Sequence, residues 1–187
     1  MNNTHILKYL LEHKEQTFTI NQLAKILDIN YRIAHTQVKR LETEGIIKTE
    51  KAGHSLLCSL TGRFDEQIFA AEYSRRKDLT KDRSFAQIVK RYRQARQPFI
   101  LLLFGSYAKK TATKHSDIDL LAITEKPEEL EEITELIPKP IHLTTVTCKE
   151  FLEMERSREP TVGTEALKHN VILNGIEEYY RLLENDH

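Results

Sequence analysis

Phe99-Ile100-Leu101-Leu102-Leu103-Phe104-Gly105-Ser106 is followed, after a short polar excursion, by Ser116-Asp117-Ile118-Asp119-Leu120-Leu121-Ala122-Ile123. A continuous apolar run stopped by Gly-Ser predicts a buried strand that ends in a turn. The second run opens with two acids one residue apart. In a strand, residues i and i+2 share a face, so Asp117 and Asp119 are expected side by side at a strand end. Paired carboxylates with no cation between them suit a hard divalent metal. Gly105 and Ser106 are expected beside them, where strand turns to helix and backbone N–H groups point outward. A metal site next to a phosphate site implies nucleotide chemistry.

The N-terminal third reads differently. Ile6, Leu7, Leu10 and Leu11 fall on one face of a first helix. Thr19 is expected to cap a second, Ile20 to Leu27, and Asn30 a third that runs to about Glu44 with Ala34, Val38 and Leu41 inward. Gly45 follows as its C′ residue. Two β-prone runs, 46–51 and 55–60, are joined by Ala52-Gly53-His54. This order resembles a winged helix-turn-helix from Gln16 to Thr61. The resemblance implies a third helix lying in the major groove of double-stranded DNA. Off its apolar stripe stand Tyr31, Arg32, His35, Thr36, Lys39 and Arg40. Arg32 and Lys39 suit phosphates or guanine edges, and Thr36 and Tyr31 suit bases or backbone. Lys51 and His54 fall at the wing tip. The same residues also suit a solvated helix face, and winged helices also dock proteins, so a protein partner stays open. Paired half-sites make a homodimer compatible with this reading.

Residues 63–97 read as a helical connector. Phe64, Ile68, Phe69 and Ala71-Glu72-Tyr73 mark one helix, and Phe85, Ile88, Val89 and Tyr92 another, capped by Asp82 or Ser84. Nine cations from Arg75 to Arg96 face only Asp78 and Asp82. They read as a solvated face, as an extension of a phosphate-binding surface, or as the seat of a nucleic-acid acceptor.

Phe104-Gly105-Ser106-Tyr107-Ala108-Lys109-Lys110-Thr111-Ala112-Thr113, with Ser116-Asp117-Ile118-Asp119-Leu120, resembles the nucleotidyltransferase superfamily of DNA polymerase β, particularly its minimal branch. The interval from Ser106 to Asp117 fits that pattern. The resemblance implies transfer of a nucleoside monophosphate from an NTP to an acceptor hydroxyl, with release of pyrophosphate. It implies that Gly105 admits a phosphate to the backbone, that Ser106 holds phosphates, and that Asp117 and Asp119 hold Mg²⁺ or Mn²⁺. Lys109 and Lys110 either add positive charge near the triphosphate or are exposed helix residues. Lys110 stands where the family often has Gly, which implies a different turn there.

The family also uses a third carboxylate on a neighbouring strand. The matching strand, 141–146, holds no acid, and His142 occupies the position. Imidazole is a poor Mg²⁺ ligand but can serve as a general base near neutral pH. Alternatively the two aspartates alone hold the metal and the domain binds nucleotide without turnover, or His142 is an ordinary strand-edge histidine. Residues 127–137 read as an acidic-faced helix ended by Pro138 and Pro140. Segments 149–158, 164–171 and 175–183 read as helices. The ending from Ala166 to Gly175 resembles the end of the same family.

Composition sets outer limits. The net charge is +0, so affinity for nucleic acid has to come from local asymmetry. The apolar run from Phe99 to Phe104 is far too short to span a bilayer, and Met1 to His5 lacks the features of a signal peptide. Cys58 and Cys148 lack metal-type spacing, so a reduced, cytoplasmic protein without membrane contact is expected.

The expected class is α+β: a winged helix-turn-helix at 1–62, a basic helical connector at 63–97, and a nucleotidyltransferase domain at 98–187 with a small mixed β-sheet flanked by helices. Three functions compete. The first is an active transferase recruited through its winged helix. The second is a nucleotide-sensing, DNA-binding transcriptional regulator that has lost turnover. The third is an antitoxin-like partner of a toxin.

Overall fold

The computed structural model describes residues 4–157 and 162–184. The chain divides into two compact units, residues 1–74 and 75–187. In the first, α1 (Thr4–Glu12) buries Ile6, Leu7, Leu10 and Leu11. β1 (Phe18–Thr19) leads directly into α2 (Ile20–Ile26). Thr19 caps α2 reciprocally: its hydroxyl accepts from the Gln22 N–H, and the Gln22 side chain accepts from the Thr19 N–H at 2.8 Å. Asp28 takes the left-handed turn at φ +50, and Asn30 caps α3 (Tyr31–Thr43) by accepting from the Arg32 N–H. Ala34, Val38 and Leu41 face inward, and Gly45 follows the helix at φ +75.

β2 (Ile47–Ala52) and β3 (Ser55–Leu60) pair antiparallel as the wing, in a sheet ordered β1-β3-β2. No periodicity in the sequence marks β1, because two residues carry no period. Its Phe18 is held opposite Cys58 on β3 by pairing at a distance in sequence.

α4 (Glu66–Leu79) starts two residues after Phe64, which lies outside it. The buried Arg75 donates to the Asn170 carbonyl at 2.6 Å, and Arg76 donates to the Leu173 carbonyl. α5 (Arg83–Tyr92) is capped by Asp82 and sends Phe85, Ile88, Val89 and Tyr92 into the core of the second unit.

That core is built on β4 (Ile100–Leu103), buried along its whole length. Each such side chain contributes roughly 1.5–3 kcal/mol by leaving water. α6 (Gly105–Ala108), β5 (Ile118–Ile123), α7 (Glu128–Glu135) and β6 (Ile141–Val146) follow. Next come α8 (Cys148–Arg156), α9 (Val162–Lys168), β7 (Val171–Asn174) and α10 (Ile176–Glu184). The sheet order is β6-β5-β4-β7. β4 runs antiparallel to β5 and β7, while β5 and β6, joined through α7, are parallel.

Two helix expectations need correction. The helix expected over 164–171 stops at Lys168, because the Asn170 amide bonds back to the Ala166 carbonyl at 2.6 Å. Val171 instead opens β7, whose apolar residues pair with β4. The helix expected from Lys149 begins at Cys148, set by a Thr147–Glu150 capping box. Its expected end, Arg158, lies outside the described residues. Among the described residues no helix is long and apolar enough to cross a membrane.

Candidate active site

β4 ends by handing the Phe104 N–H to the Asp119 carbonyl at 3.0 Å. The chain then bends at Gly105, φ +67, into the single turn of α6. A Cβ on Gly105 would overlap Asp119 Oδ2 and stand 3.1 Å from its Cγ. Only a residue without a side chain lets this carboxylate close over the bend. Asp119 is the second residue of β5, and its side chain is 30% exposed. Asp117 lies just before the strand and is exposed. Between them the Ile118 N–H donates to the Pro140 carbonyl at 2.9 Å, fixing the start of β5 against the entry to β6.

His142 stands opposite Asp119 in the parallel register. Its Nδ1 lies 3.7 Å from Asp119 Oδ1, and its ring is 68% exposed. An exposed imidazole beside a carboxylate can take a proton from an incoming group and release it to water. β6 carries no acid. Among the described residues no group of three His, Cys, Asp or Glu side chains converges as a metal site.

Ser106 follows the bend, half-buried, and its carbonyl accepts from the Thr111 N–H at 2.9 Å. The nucleotide-side lysines diverge. Lys109 pairs with Glu165 at 2.6 Å, so its charge is already partly neutralised. Lys110 is exposed and adopts φ +60. The turn expected to differ at this non-glycine position therefore takes the left-handed conformation that a glycine would supply. Nothing in the sequence spacing singles out Tyr107. Its hydroxyl reaches the Ser116 carbonyl at 3.5 Å, and its ring meets Phe85 edge-on at 5.3 Å. The only signal in the sequence is an aromatic residue between Ser106 and two lysines.

In the first unit, Tyr31, Arg32, Thr36, Lys39, Arg40, Lys51 and His54 are exposed and His35 is half-buried. The Tyr31 and His35 rings lie 6.1 Å apart. The Thr36 hydroxyl bonds back to the Arg32 carbonyl. Lys39 pairs with Glu42 at 2.7 Å and Arg40 with Glu44 at 2.9 Å. Hydrogen bonds from Lys39 and Thr49 hold the Glu42 carboxyl below its usual range, and those from Gln67 and Arg40 do the same for Glu44. Arg32 and Lys51 have no ion-pair partner among the described residues. Sequence spacing puts Arg32 and Lys39 together as phosphate or guanine contacts, but the acids at the end of α3 separate them.

A four-stranded mixed sheet with a Gly-Ser bend closed by a strand-end aspartate defines a nucleotidyltransferase-type domain, here preceded by a helix-turn-helix unit. A family model described as a nucleotidyltransferase domain matches residues 83–181, more than half of the chain, and the chain belongs to that family. A model described as an HTH domain matches residues 3–55. No curated protein and no solved structure matches the chain.

Proposed function

We propose that this chain transfers a nucleoside monophosphate from an NTP to an acceptor hydroxyl, and that its winged helix brings the reaction to double-stranded DNA. The observation that carries the reading is the Asp119 carboxylate packed against the Gly105 bend, one residue from Ser106. The donor set fits a hard cation. Asp117 and Asp119 offer oxygens, and Mg²⁺ habitually takes one or two carboxylates, with water and substrate phosphates completing its shell. When bound, Mg²⁺ or Mn²⁺ would neutralise charge building on the phosphates. Ser106 and the neighbouring backbone orient the triphosphate. The acceptor oxygen forms its bond to the α-phosphorus as the bridge to the β-phosphate breaks and pyrophosphate leaves. The hydroxyl proton passes to the His142 imidazole and then to water.

The test is incubation with α-labelled NTPs, Mg²⁺ or Mn²⁺, and candidate acceptors. Label should reach an acceptor in wild type and fall at least 100-fold in Asp119→Asn. Equal labelling in the two would refute the assignment. A second reading, a nucleotide-sensing regulator without turnover, is favoured by the acid-free β6. It requires that NTP change duplex-DNA affinity, and an unchanged affinity removes it.

A further inference from the structure

A groove of about 480 Å³ lies between α5 and the segment that follows α7. Ile88 and Ile137, themselves buried, close its floor together with Pro138. Lys90, Arg91 and Lys139 form its cationic rim. A shallower hollow of about 470 Å³ continues along α5 past Arg83, Ala86 and Gln87 to Lys90. Positions 83, 87, 90 and 91 recur at helical spacing, so two arginines, a lysine and a glutamine share one exposed face of α5, and Gln94 follows in the turn beyond it. Among the described residues no carboxylate lines either hollow. The side chains of Arg83, Lys90, Arg91 and Lys139 have no ion-pair partner among the described residues.

Both walls are tied to the candidate active site. On one side, Phe85 of α5 packs on Tyr107, the neighbour of Ser106, and the Tyr107 hydroxyl reaches the residue before Asp117. On the other, Lys139 precedes Pro140, whose carbonyl holds the Ile118 N–H between the two aspartates. The groove is therefore framed by elements that also position Ser106, Asp117 and Asp119.

We propose that this groove seats the acceptor of the transfer, and that the acceptor is a single-stranded polynucleotide. The proposal rests on the nucleotidyltransferase reading above and names its substrate class. Arg83, Lys90, Arg91 and Lys139 pair with successive phosphates. The apolar floor takes a sugar or base face, and Gln87 and Gln94, each both donor and acceptor, read base edges. An acidic peptide would use the cations but leave the amides and the apolar floor without counterparts. The strand's terminal hydroxyl oxygen bonds to the α-phosphorus, pyrophosphate departs, and the proton passes to His142 and then to water.

The test uses the full chain and a fluorescein-labelled twelve-nucleotide single-stranded RNA, read by anisotropy across a salt series. Lys90→Gln/Arg91→Gln/Lys139→Gln should bind at least 10-fold more weakly. Its log–log salt slope should fall by about 2, since each lost single-strand phosphate contact removes about 0.7. Its melting temperature should stay in place, because all three side chains are exposed. Asp119→Asn and Arg32→Ala should keep the strand affinity. In transfer assays the triple variant should raise the KM for the strand and leave kcat unaltered. Wild-type affinity in the triple variant overturns the proposal, as does tighter binding of a polyglutamate peptide or of phosphatidylserine vesicles than of RNA. Strand binding that depends on these cations, without any transfer by wild type, defeats the transferase reading and leaves the groove standing. Transfer to another acceptor, with strand binding indifferent to them, does the reverse.

Discussion

At position 105 the absence of a Cβ decides what the neighbouring carboxylate can do. Gly105→Ala would force a left-handed residue with a side chain, at about 1–2 kcal/mol, and would also push Asp119 out of place. We expect a destabilisation of about 2 kcal/mol or more by chemical denaturation, together with a loss of nucleotide transfer larger than stability explains. Lys110 poses the opposite case. It holds φ +60 at the edge of the same turn, so Lys110→Gly should raise stability by about 0.5–1 kcal/mol. A drop in the unfolding midpoint would contradict that. Gly105 stands out in the sequence because a glycine has few reasons to end an apolar strand, and Asp117 and Asp119 because paired acids have few reasons to open one. The conformation of Lys110 does not, since nothing in a lysine announces a left-handed backbone.

Among the elements, helices with side-chain caps were read well. Thr19, Asn30 and Asp82 each begin a helix where a short polar side chain can serve free N–H groups. Two short strands were less legible, although the four-residue β4 was plain from its apolar run. β1 has two residues, and β7 follows a helix after a gap that only the Asn170 amide makes decisive. α3 shows why a list of exposed cations overstates a binding face. Lys39 and Arg40 are paired with Glu42 and Glu44, while the Arg32 side chain has no ion-pair partner among the described residues. Arg32→Ala should therefore weaken duplex binding and lower the salt slope by about 1. Lys39→Ala should change the slope by much less. A filter-binding salt series on both variants decides this, and equal slopes would count against the pairing argument.

For the whole molecule, α5 illustrates the limit of reading a chain segment by segment. Its cations suggested a solvated link, yet Phe85, Ile88, Val89 and Tyr92 complete the core around β4 and β5. Periodicity showed an apolar face but not which sheet would cover it. The cores also shape the response to alkali. Burial pushes the Cys58 thiol up to about 11 and raises the Tyr92 hydroxyl above its ordinary value. Both groups resist ionisation more when folded, so the unfolded chain loses their protons first as pH rises. Stability should be level below pH 9 and then fall toward pH 11. The loss from Cys58 is on the order of 2 kcal/mol and should be visible in denaturant melts, and Cys58→Ala should flatten that part of the curve. The central claim is that Asp119, closed against the Gly105 bend, and Asp117, just before β5, hold a triphosphate through a divalent cation. Titration calorimetry of NTP into wild type and Asp117→Asn/Asp119→Asn, each with Mg²⁺ and with EDTA, tests it most directly. Binding should appear only for wild type with Mg²⁺, and equal affinity in the double variant or in EDTA would contradict the claim.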